Sequence, residues 1–248
     1  MGDFTLRIKN HFRFSHEERL GFLYTVLAAA FILSFRKWGT VEFDWVQGIS
    51  NMILCGIIFL VCLFVHIATQ KLISIRMGFS AKYTYSRNGI FVGVLMAFLS
   101  YGYIPVLMNG SIELDSITRL RLGRFRYGLN MKDLAKVAFA GPASNIVITL
   151  ILEPFFAIAP AGSSAYDLLM LIVWTNFLIA IYALLPFKNC SGLHIFIASR
   201  GTYVLAFFFV LLFFIFALLT TTFSLIISAV LALVIAITYA TIVEKPST

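Results

Sequence analysis

The 248 residues are 60% hydrophobic and only 12% charged, with a mean hydropathy of +0.95. A soluble domain carries about a quarter charged residues, so this composition excludes an ordinary soluble fold. It points to an all-α polytopic membrane protein, because lipid leaves the backbone no hydrogen-bond partner outside its own segment. The net charge of +8 sits in basic residues flanking apolar runs, with no long basic tract; it reads as membrane topology and sets nucleic-acid binding aside.

Met1 to Arg19 is polar and mixed in charge, without the apolar core and small-residue cleavage site of a signal peptide. Leu20 to Phe35 is the first apolar run, and Trp38 to Gln47 then mixes aromatic and acidic residues as a membrane interface does. Asn51 to Ile75 reads as the second span, and Arg76 to Arg87 as a polar, basic connection. Gly89 to Met108 is apolar but broken by Ser100-Tyr101-Gly102-Tyr103 and Pro105, and Gly110 to Asn130 reads as extended or irregular. Leu134 to Ile158 and Leu168 to Leu185 are further spans. Thr202 to Val243 has about twice the length one span needs, and Thr220-Thr221-Thr222 breaks it into a helical hairpin.

Charge placement selects among topologies. With Arg7, Lys9, Arg13 and Arg19 in the cytoplasm, a fully spanning Gly89 to Met108 would put the arginine-rich stretch from Arg119 to Lys136 outside. A segment that dips in and returns keeps Lys71 to Lys136 inside. The sequence thus predicts about six transmembrane helices, with a re-entrant or extended segment between the second and third spans. Residues 1–19 form a cytoplasmic N-terminal segment. Residues 20–200 form a membrane domain, and residues 201–248 a C-terminal hairpin and short tail.

Chemistry concentrates in three places. His66 and Gln70 lie four residues apart on one face of a membrane helix, the spacing of a helical metal site. Ionisable groups within spans are costly and face a partner or cavity; read alone, though, a histidine here is more often a packing residue than a ligand. Gly141-Pro142-Ala143-Ser144-Asn145 reads alone as a tight packing interface with a proline kink. Leu184-Leu185-Pro186-Phe187-Lys188-Asn189-Cys190-Ser191-Gly192 reads alone as a helix-loop-helix corner. The scattered Cys55, Cys62 and Cys190 imply no disulfide framework.

Taken together and in order, these stretches resemble the site-2 protease family of intramembrane zinc metalloproteases. That family carries His-Glu-x-x-His, then Gly-Pro-x-x-Asn, then Asn-x-x-Pro followed by Asp-Gly. His66 to Gln70, followed by the basic Lys71 to Gly78, stands at the first motif. Gly141, Pro142 and Asn145 match the second. Ala183 to Pro186 with Ser191-Gly192 stands at the third. Leu122 to Gly128 and Ala198-Ser199-Arg200 also resemble archaeal members, which implies a prokaryotic cell membrane. The resemblance covers about residues 51–200.

The departures fall on the chemistry. The resemblance assigns zinc to His66, Gln70 and Ser191, where only His66 is a family ligand. It assigns the water-activating glutamate to Ile67, which has no proton to move. A catalytic zinc needs three protein ligands and an open position. The implied protein is therefore a non-catalytic member, without catalytic residues or a cofactor, that meets membrane lipid and binds transmembrane segments of other proteins. Two alternatives stand beside it. One is an active metalloprotease with other ligands, or a closed zinc site, drawn from Cys62, His66, Cys190 and His194. The other is a small transporter or lipid-binding protein using His66 and Glu153.

Overall fold

A computed structural model describes residues 2–39, 42–116, 130–219 and 224–243. Among these residues the chain forms α1 (Gly2–His11), α2 (His16–Ser34), α3 (Trp45–Arg76), β1 (Phe79–Thr84), α4 (Arg87–Leu99), β2 (Ser111–Ser116), α5 (Met131–Phe156), α6 (Ser164–Ala183), α7 (Gly192–Ala198), α8 (Arg200–Leu218) and α9 (Ser224–Val243). Arg119, Arg121, Arg124 and Arg126, the Leu122 to Gly128 stretch, the Thr220 to Thr222 break and Lys245 lie outside the described residues.

Five helices, α3, α5, α6, α8 and α9, are long and apolar enough to cross a membrane. The architecture is that of an integral membrane protein. The sixth expected span is α2, whose first turn carries Glu17, Glu18 and Arg19. These charges leave it short of a full apolar span. Polar caps start the helices. Asp44 accepts from the N–H groups of Val46 and Gln47 to open α3, and Ser163 and Asn130 cap α6 and α5 in the same way. At 32 residues α3 is the longest helix, and it packs against α2, α5 and α6. A second layer joins α5 to α6, α7 and α8, and α9 lies along α8.

The sequence reading missed one strand. The basic connection between α3 and α4 is β1, which pairs antiparallel with β2 from Phe79↔Ser116 to Thr84↔Ser111. The chain is therefore not purely helical: a two-stranded sheet sits beside α3. The pairing also fixes the excursion between the strands. The chain leaves at Thr84, runs along α4, and returns to the neighbouring Ser111. At 13 residues, α4 is about 20 Å long.

The return leg is extended and packs directly on α4. A Cβ at Gly93 would lie 2.4 Å from the Val106 carbonyl oxygen, and one at Gly89 would lie 2.5 Å from the Met108 Cβ. These glycines let non-helical backbone lie directly against a helix. The turn at the far end passes through left-handed Tyr101 and Gly102. There the Arg36 guanidinium stacks 3.8 Å from the Tyr103 ring centre.

One buried ion pair locks these parts together. Lys71 Nζ lies 2.6 Å from Glu18 Oε1, with both side chains almost fully buried. The Glu18 carboxylate also accepts from the backbone N–H of Tyr83 at 2.6 Å and of Ser15 at 2.7 Å. Lys71 donates to the Arg13 carbonyl at 2.9 Å and sits over the Phe14 ring. One carboxylate thus ties α2 to α3 and to β1.

Breaking a buried pair by removing one partner strands a charge at a cost of roughly 3–5 kcal/mol. Glu18→Ala is expected to lose about that much stability in detergent unfolding. Glu18→Gln with Lys71→Met, which leaves no charge behind, should recover most of it. A single variant as stable as wild type would contradict this role.

Candidate functional site

Cys62, His66 and Gln70 follow one another at helical spacing along one face of α3. That face meets the first half of α5, and two features of Gly141 to Asn145 set the contact. First, Gly141 lets α5 approach the imidazole: a Cβ there would lie 2.3 Å from His66 Nε2. Second, Pro142 lies inside α5 and has no N–H to give the carbonyl four residues back. That carbonyl belongs to Ala138, and Gln70 Nε2 donates to it at 3.1 Å. The proline of one helix creates the acceptor that the amide of another helix fills.

Gln70 has a second amide hydrogen, and Ser191 Oγ lies 3.4 Å away to receive it. Ser191 is held at the start of α7 by a tight corner. A Cβ at Gly192 would lie 1.9 Å from the Leu184 carbonyl oxygen, so only glycine fits. Asn189 turns the chain through a left-handed conformation just before it, in the loop that Pro186 begins after α6. The structure thus brings Gln70 and Ser191 together, with His66 one turn along α3.

Beside this junction lies a small void of about 10 Å³, lined by Gln70, Ser191, His194, Ala138 and by Ile112 and Leu114 of β2. It has room for about one water molecule. Burial holds His194 below the usual imidazole range and therefore neutral near pH 7. Ile67 points elsewhere, into an apolar cluster with Leu63, Ala81, Tyr83 and Ile112.

The donor set does not fit a catalytic zinc. A neutral amide oxygen and a hydroxyl are poor zinc donors. Cys62 takes a contact from Asn176 Nδ2 at 3.3 Å. Burial pushes the Cys190 thiol up to about 11. Among the described residues, no group of three or more His, Cys, Asp or Glu side chains could hold a metal ion.

Sequence reasoning did not single out Asn176. It is fully buried in the middle of α6, accepts from Asn145 Nδ2 at its carbonyl at 3.2 Å, and connects to Cys62. The available signal was an amide within an apolar span, where polar groups are costly. Glu153 lies at the far end of α5, bonded to Ser224 of α9. No family model, curated protein or solved structure matches the chain.

The linkage between Pro142 and Gln70 makes a double-mutant prediction. Gln70→Leu leaves the Ala138 carbonyl buried and unpaired, at a cost of about 1–3 kcal/mol. Pro142→Ala restores an N–H for that carbonyl. In unfolding measurements, Gln70→Leu should therefore cost clearly less in the Pro142→Ala background than in wild type; equal costs in both backgrounds would disprove the link.

Proposed function

We propose that this is a non-catalytic, site-2-protease-like membrane protein that binds extended segments of other membrane proteins without cutting them. The observation that carries the reading is the Gln70 junction. The three motif stretches are distant in sequence, yet His66, Gln70 and Gly141 share one helix contact, with Ser191 hydrogen-bonded to Gln70. An amide cross-link occupies the place the family resemblance assigns to metal. Ile67, in the place of the general base, lies among apolar side chains. The family's zinc-ligand set and its glutamate are thus replaced by an amide, a hydroxyl and an apolar side chain.

The sheet supports binding. An extended guest segment can add to a sheet edge through backbone hydrogen bonds. Glu18 occupies the outer edge of β1 by accepting from the Tyr83 N–H. Among the described residues, β2 pairs only with β1, so its other edge is the one available, beside the Ser191 and His194 void. The return of the chain at Ser111 next to Thr84 supports a re-entrant α4 segment with both ends on one side. The basic N-terminal residues favour the cytoplasm for that side.

A photoreactive residue at Glu113 of β2 tests the binding. The expected product is a crosslink to an intact membrane protein. Restoring Ile67→Glu, Gln70→His and Ser191→Asp together tests the scaffold: the variant should retain zinc and cleave a transmembrane substrate. Cleavage by the wild-type chain that a chelator stops would replace this reading with that of an active protease.

A further inference from the structure

The face of α5 that touches His66 continues as a polar seam. From Gly141 it runs one turn at a time through Asn145, Thr149 and Glu153, about 18 Å along the helix axis. Partners from two other helices meet it. The Asn145 side chain donates to the Asn176 carbonyl, one turn along α5 from the Gly141 that packs on the His66 ring. Asn176 donates to Cys62 Sγ and to the Ile172 carbonyl. Cys62 and His66 of α3, Asn145 of α5 and Asn176 of α6 therefore ring the place where the three helices meet.

The ring does not satisfy its own members. Among the described residues, His66 Nδ1, Asn176 Oδ1 and Thr149 Oγ1 are buried without a protein partner. Asn176 and Thr149 are fully buried, and His66 is 4% exposed. Two of these atoms belong to the ring, and the third lies one turn above Asn145 on the same helix face. Buried polar groups in proteins find a partner in the great majority of cases. Polar groups that line one interior site and lack a protein partner are typically bridged by ordered water.

We propose that the α3–α5–α6 junction binds a short file of ordered water that links His66 Nδ1, Asn176 Oδ1 and Thr149 Oγ1. The ligand class is water, because the three atoms are neutral donors or acceptors with no carboxylate to hold a cation. The file ends one turn from Glu153, which is bonded to Ser224. It hydrates the polar seam from His66 to Thr149 within the bundle. The inference rests on the ring geometry and not on the reading of the chain as a binder.

Thr149 offers an isosteric test on the full-length protein. If its hydroxyl is bridged by water, Thr149→Val loses that bond, and the unfolding midpoint falls by about 2–4 °C. If the hydroxyl is dry, Val removes an unsatisfied group and the midpoint stays level or rises. Solid-state NMR in lipid bilayers supplies the direct readout, with Thr149→Ser as the hydroxyl-retaining control. Magnetisation should pass from water to the imidazole assigned to His66 by its loss in His66→Gln. The transfer should weaken in Thr149→Val and persist in Thr149→Ser. A level or raised midpoint in Thr149→Val, or no water transfer at His66, would overturn the proposal.

Discussion

The Glu18 carboxylate is the constraint on which the rest of the structure depends. Burying a charge is costly, and a paired charge offsets that cost only when its remaining lone pairs and protons are also satisfied. Glu18 meets the requirement with Lys71, the Tyr83 N–H and the Ser15 N–H. Lys71 meets it with the Arg13 carbonyl and the Phe14 ring. Because the donors come from α2, α3 and β1, satisfying this one group fixes the angle at which the sheet leaves α3. It thereby sets where β2 lies, and β2 walls the void beside Gln70 and Ser191.

Within the bundle the same rule acts through an amide instead of a charge. Pro142 deprives Ala138 of its helical partner, and Gln70 supplies one from α3. Gly141 brings the helices close enough for that reach by letting the His66 ring lie against bare backbone. Small residues that permit close approach and polar groups that cross-link are the two means by which helices associate in lipid. Here a single five-residue stretch supplies both. The same stretch packs the His66 ring between α3 and α5.

The apolar runs were legible because membrane helices need long stretches of one composition, and α3, α5, α6, α8 and α9 follow them closely. His66, Gly141 and Ser191 were singled out in the sequence, and Gln70 and the Gly141 contact bring them to one junction. β1 was not. Phe79–Thr84 carries Lys82 and lies between Arg76 and Arg87, so it read as a loop, and its partner strand lies beyond all of α4. Glu18 was not legible either. Its bond to Tyr83 spans 65 residues, and nothing local marks a first-turn glutamate as buried. The glycines of α4 gave a weak signal, since their role depends on an extended leg that only the fold brings back.

The closed edge of β1 also limits assembly. A sheet with two free edges can recruit strands on both sides and propagate from molecule to molecule. Here the Glu18 carboxylate blocks one side, and α2 stands behind it. Among the described residues β2 offers the one remaining edge, and pairing through it would use that edge up. Two copies joined by their β2 strands would close on themselves as a two-fold pair, and a guest strand would exclude that pairing. Growth through the described strands would therefore stop after one added strand instead of continuing from molecule to molecule.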